Sequence, residues 1–159
     1  PIEVDFSPLY KVNLESFKGV GLHYNGFDDI SALTQMNNLK KVELCCMNLS
    51  REMINEVSML YQIDTLSLFC SDIEDYSPLS SLTQLKCLTL FGTDIQDDDT
   101  DFIKNLVELE SIDISETSIS DFDFLYSLEK LKEVKASGEQ LSNDDLFELK
   151  NRGIEVILC

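Results

Sequence analysis

The sequence is short of positive charge, histidine and glycine, and each shortage narrows what the chain can do. Twelve Lys and Arg face thirty Asp and Glu, which leaves a formal charge of −18 over 159 residues. So acidic a chain repels phosphate backbones, and a general nucleic-acid binder is not expected. The single histidine, His23, is the only base available to a Cys–His or Ser–His couple. The six glycines form no G-x-G-x-x-G and no G-x-x-x-x-G-K, so no phosphate-cradling loop is expected. No apolar run approaches the ~18–20 residues of a membrane span, and no basic–apolar leader opens the sequence. A cysteine framework is missing as well. Cys45 and Cys46 are adjacent, Cys70 and Cys87 sit in apolar runs, Cys159 comes last, and no C-x-x-C occurs. Reduced thiols and a cytoplasmic location are therefore expected, with no cofactor, no metal and no membrane partner.

What the sequence does contain is a repeat. An apolar residue is followed by another three positions on, a third two positions later, and a fourth five positions after that. The pattern reads Phe17–Val20–Leu22–Phe27, Leu39–Val42–Leu44–Leu49, Ile63–Leu66–Leu68–Ile73 and Leu85–Leu88–Leu90–Ile95. It continues through Leu109–Ile112–Ile114–Ile119 and Leu131–Val134–Ala136–Leu141 to a truncated copy, Gly153–Val156–Leu158. Starts at 17, 39, 63, 85, 109, 131 and 153 define near-equal periods of 22 or 24 residues. Alternating apolar positions give each unit a short strand with one buried face. A single unit has nothing to bury that face against, so neighbouring units must stack.

This pattern resembles the leucine-rich-repeat family, whose unit reads L-x-x-L-x-L-x-x-N-x-L, over residues 17–159. The 22-residue units resemble the internalin type. The 24-residue units, with Ser50–Leu60 and Asp97–Leu106, resemble the ribonuclease-inhibitor type and have room for a true helix. The resemblance implies an α/β solenoid of about seven repeats, with a curved parallel sheet on the concave face and helices and 3-10 turns on the convex face. One departure stands out. The Asn position holds Asn25 and then Met47, Ser71, Thr93, Thr117 and Glu139, so hydroxyls must replace the asparagine ladder where they can. Ser142-Asn143-Asp144-Asp145 caps a helix reaching Asn151, closed by Arg152-Gly153 before a last strand from Glu155 to Cys159. Residues 1–16, with Phe6, Leu9, Val12 and Leu14, are expected to cap the first repeat.

The variable strand positions face the concave side. Lys18, Lys40, Lys41, Lys86, Lys132 and Lys135 oppose Glu43, Asp64, Glu110, Asp113, Glu116 and Glu133 there, so that face is neutral. Position seven runs His23, Cys45, Phe69, Phe91, Ser115, Ser137, and position eight runs Tyr24, Cys46, Cys70, Gly92, Glu116, Gly138. Tyr24, Cys45, Cys46, Phe69, Cys70 and Phe91 are expected to form one contiguous patch with the composition of a binding hot spot. Glu110, Asp113 and Glu116 form an acidic spot beside it for a basic group of a partner. Cys46 and Cys70 have the lateral spacing of a disulfide, against which the cytoplasmic setting argues. His23 and the cysteines offer soft ligands, but side chains on a flat sheet diverge. Asp97, Asp99, Asp101 and Glu108 fall at calcium-loop spacing, yet Phe102 stands where the turn needs glycine. Their better reading is carboxylates at the start of a convex helix.

These features point to a non-catalytic protein–protein interaction module that binds through the concave sheet. Two alternatives are an acidic stoichiometric inhibitor, of immunity or antitoxin type, acting on a basic enzyme, and a structural repeat scaffold from a larger protein. Self-association through the same face is a further possibility.

Overall fold

The computed structural model describes residues 14–20 and 30–159. The strands are β1 (Ser16–Val20), β2 (Lys41–Cys45), β3 (Asn48–Leu49), β4 (Thr65–Ser67), β5 (Asp72–Ile73), β6 (Cys87–Thr89), β7 (Ser111–Asp113), β8 (Glu133–Ala136) and β9 (Glu155–Leu158). Seven of them form one parallel sheet in the order β1-β2-β4-β6-β7-β8-β9, and β3 pairs with β5 in a second, two-stranded sheet. Among the described residues each crossover carries one short helix. These are α1 (Arg51–Ser58), α2 (Asn143–Asn151), and 3-10 helices at Ser31–Gln35, Ser77–Ser81, Asp97–Asn105 and Asp123–Ser127.

The strands align in one register. Val42 lies beside Leu66, Leu66 beside Leu88, Leu88 beside Ile112, Ile112 beside Val134, and Val134 beside Val156. From Val42 to Val134 these residues, and Leu44, Leu68, Leu90, Ile114 and Ala136 two positions on, are at most 2% exposed. The repeat pattern therefore becomes two continuous apolar columns under the sheet. At the last strand the columns open, with Val156 half-buried and Leu158 exposed. One carbonyl per repeat accepts two amides of the next strand, as Lys40 does from Asp64 and Thr65 at 2.9 and 3.1 Å.

The first repeat departs from the expected spacing. Phe17, not Val20, lies beside Val42, and Val20 lies beside Cys45. The strand pattern of this unit is therefore Leu14–Phe17–Gly19, with Leu14 and Phe17 packed on the core and Val20 exposed. Tyr24, His23, Asn25, Phe27 and the N-terminal residues Phe6, Leu9 and Val12 lie outside the described residues.

The convex helices follow their local sequences. The Ser50 hydroxyl caps α1 by accepting from the Met53 amide, and Met53, Ile54 and Val57 are buried. At α2 the expected box forms: the Asp145 amide donates to Ser142 Oγ at 3.1 Å and the Ser142 amide to Asp145 Oδ2 at 3.0 Å. Gly153, at φ 76°, ends that helix. The other segment expected to have room for a true helix, Asp97–Leu106, winds as a 3-10 helix instead. There the Thr100 hydroxyl donates to the Asp97 carbonyl three residues back at 2.8 Å, and the Asp97 carboxylate is drawn into the next repeat.

Candidate functional site

Position seven forms a column along the C-terminal ends of the strands: Val20 and Cys45 close β1 and β2, and Phe69, Phe91, Ser115 and Ser137 fall just past β4, β6, β7 and β8. Phe69 and Phe91 stack with ring centroids 4.7 Å apart and planes 4° from parallel. Phe69 is 37% exposed and Phe91 half-buried, so the pair presents ring surface to solvent near the middle of the sheet. Ser115, the next residue in the column, is fully buried, and its hydroxyl is the one unsatisfied buried side-chain polar atom among the described residues. Cys45, expected on the surface, is buried, and that burial pushes its thiol up. Of the expected patch the structure brings together Cys46, Phe69, Cys70 and Phe91. The register adds Val20, which sequence reasoning missed, at the column's N-terminal end.

The charged residues of this face largely neutralise one another between neighbours. Lys18 lies 3.4 Å and Lys41 2.8 Å from Glu43, whose carboxyl is held below the usual range first by the Lys41 hydrogen bond. Lys132 lies 2.5 Å from Glu110 and Lys135 3.7 Å from Glu133. Glu110 is thus spent on Lys132, which lowers its carboxyl, and is not a free partner contact. Asp113 accepts from the Ser115 amide through Oδ1, and Glu116 accepts from the Ser137 hydroxyl through Oε1. Each carboxylate has a second oxygen for an incoming cation.

The residue after column seven turns the chain. Cys46, Cys70, Gly92 and Glu116 all adopt left-handed backbone, at φ 55°, 49°, 64° and 57°. Three of the amides still extend the ladder, Cys46 to the Phe69 carbonyl at 2.9 Å, Cys70 to Phe91 at 2.8 Å and Gly92 to Ser115 at 3.0 Å, and the Glu116 amide donates to the Ser137 hydroxyl at 2.8 Å. A Cβ on Gly92 would lie 2.9 Å from Cys70 Sγ, a thiol that can swing aside. Backbone strain therefore sets the cost of Gly92→Ala, expected at about 1–2 kcal/mol by urea denaturation. Cys46→Gly is expected to change stability by a much smaller amount, since it relieves the same strain.

Hydroxyls and one amide replace the missing asparagines. Thr93 and Thr117 donate to the Leu90 and Ile114 carbonyls at 2.8 and 2.7 Å. Ser71 Oγ accepts from the amide of Met47 in the preceding repeat at 3.2 Å, which serves the turn that Met47 itself cannot. At Glu139 the work passes to the next residue. Gln140 accepts from the Ser137 amide and donates back to the Ile114 carbonyl, a role the sequence pattern did not reveal.

No protein-family model and no curated protein matches this sequence. Solved structures do. An internalin (inlF) from Listeria monocytogenes is similar to 97% of the chain at 25% identity, with a TM-score of 0.72. Internalin C2 from the same organism is similar to 98% of the chain at 25% identity, with a TM-score of 0.67. The chain has the leucine-rich-repeat fold. It spans 44% of the first internalin chain and 66% of the second. A leucine-rich-repeat protein of Leptospira interrogans, 15% identical over 91% of the chain with a TM-score of 0.59, shares the fold. The open face of the sheet is thus the concave face of a leucine-rich-repeat solenoid.

In this leucine-rich-repeat framework the acidic loop edge of Asp72, Asp75, Asp94 and Asp97 is largely structural, and Asp75 Oδ1 accepts from the Ser77 amide at 2.9 Å. Asp97 Oδ1 accepts from the Ser120 and Asp121 amides at 2.7 and 2.9 Å and Oδ2 from the Ser120 hydroxyl at 2.7 Å, bonds that hold its carboxyl below the usual range. Asp94 Oδ1 accepts from the Ile73 amide and from the buried Tyr76 hydroxyl. The carboxylates at calcium-loop spacing turn to different partners: Asp99 to the Gln96 amide, Asp101 to Lys104 and Glu108 to Lys130. Among the described residues no group of three or more His, Cys, Asp or Glu is arranged to hold a metal, and no helix is long and apolar enough to cross a membrane.

Proposed function

We propose that this leucine-rich-repeat protein is a non-catalytic binding module that grips a protein partner on its concave face. The observation that carries the reading is the Phe69–Phe91 stack, aromatic surface held open to water on the turns that follow β4 and β6. Paired rings on turns tied to the neighbouring repeats by backbone hydrogen bonds lose little conformational freedom on binding and offer a flat apolar anchor. Asp113 and Glu116 lie one repeat further on, so the partner that fits is an apolar side chain seated on the rings with a basic group beside it. The five unpaired cysteines support a reducing, cytoplasm-like compartment.

The inhibitor reading needs the acidic edge instead, and Asp94 and Asp97 there are already committed to the protein's own turns. The two readings separate in a peptide-display selection on the immobilised protein at low and high salt. The concave reading expects apolar–basic peptides whose binding changes less than tenfold with salt and survives in an Asp72→Asn/Asp75→Asn variant. Selected peptides that are uniformly basic, lost in salt and lost in that variant would move the site to the edge.

A further inference from the structure

We propose that Cys46 and Cys70 form a dithiol modification site on the rim of the concave face, which peroxide oxidises to a reversible disulfide between neighbouring repeats. Register brings them together. Val42 pairs with Leu66 before them and Asn48 with Asp72 after them, so Cys46 lies directly beside Cys70. Two hydrogen bonds clamp these turns, from the Cys46 amide to the Phe69 carbonyl at 2.9 Å and from the Met47 amide to Ser71 Oγ at 3.2 Å. Adjacent strands stand ~4.8 Å apart, inside the ~4.4–6.8 Å window of Cα separations that a disulfide spans.

Both thiols are free and partly exposed, and of the five cysteines these two alone occupy laterally paired positions. Cys87 stands between Thr65 and Ser111, Cys45 stands beside Val20, and Cys159 follows the last strand. The Cys70 thiol now leans over Gly92, where no Cβ blocks it, and rotation about its Cα–Cβ bond turns it back toward Cys46. Both residues hold left-handed backbone, at φ 55° and 49°, and closing the bond must draw their Cβ atoms from the strand spacing toward the ~3.8 Å a relaxed disulfide prefers. Such a bond is strained and readily reduced, the character of a regulatory disulfide and not of a structural staple.

The chemistry balances with hydrogen peroxide as the two-electron oxidant. The Cys46 sulfur attacks the peroxide, the O–O bond breaks, and one water leaves as the sulfenic acid forms. The Cys70 sulfur then displaces the second water, and the S–S bond closes. Burial and the neighbouring Cys46 push the Cys70 thiol up, so this second step speeds as pH rises.

The inference stands on the two turns alone and does not depend on the partner reading. Its test is thiol titration and peptide mapping of the purified monomer after peroxide, with circular dichroism confirming that every variant is folded. Two of the five thiols are expected to be lost, with a 46–70 cross-link that dithiothreitol reverses. Cys46→Ser and Cys70→Ser are each expected to lose the cross-link, and Cys45→Ser to keep it. Five thiols surviving peroxide, or a cross-link mapping to Cys45 or to a second chain, would overturn the proposal.

Discussion

Converting Phe69 and Phe91 together to glutamate is expected to weaken peptide or protein capture by more than about 100-fold while leaving the fold in place. A buried aromatic anchor at an interface is worth about 2 kcal/mol or more, and this face has two in contact. The substitutions also carry negative charge toward Asp113 and Glu116 in the repeat after Phe91, and they remove the apolar seat without displacing the basic one. The cost to folding is small by comparison. Phe69 is exposed in the free protein, and an aromatic pair adds only about 0.5–1.5 kcal/mol beyond its buried area. The check is binding by titration alongside the thermal midpoint. Unchanged affinity in a folded double variant would rule out the concave anchor.

Ile112→Ala carries the largest expected cost to stability, about 3–5 kcal/mol. Ile112 is fully buried on β7 and packs between Leu88 on one side and Val134 on the other. In a stack of repeats it belongs to two interfaces at once, so the cavity weakens both. Val156→Ala removes an apolar side chain at the same register position but touches one neighbouring repeat and is already half-solvated. Its cost is expected to be about 1 kcal/mol or less. Urea denaturation of the two variants gives the comparison, and equal losses would contradict a core built column by column.

The repeat was legible because burial under a parallel sheet demands an apolar residue at the same two strand positions in every unit. From Leu39 onward the spacing gave the strand register without error, and the α2 cap was legible because Ser142 and Asp145 need only each other. The first repeat shows where this reading fails. Leu14–Phe17–Gly19 and Phe17–Val20–Leu22 satisfy the spacing equally well, and Gly19 carries no side chain to declare itself. Pairing with β2 broke the tie and put Val20 on the surface.

The candidate site was legible as a set of columns and not as a surface. Which variable residues share a column follows from the period, so Phe69 beside Phe91 and Cys46 beside Cys70 were available from spacing alone. Exposure within a column was not. Cys45 and Ser115 sink while Phe69 stays open, because each side chain's exposure depends on the size of its neighbours in the adjacent repeats. Glu110 looked free in the sequence and is held by Lys132 from the next unit. Gln140, which belongs to no apolar position of the repeat, bridges two turns.

The period, the parallel sheet and the identity of its columns follow from local alternation repeated in every unit, so they can be read from the residues alone. The first register, the 3-10 winding at Asp97, and which carboxylates and thiols remain available to a partner came only with the packed repeats. Those outcomes turn on contacts between residues roughly one repeat apart, where lateral hydrogen bonds and salt bridges compete with solvent for the same groups.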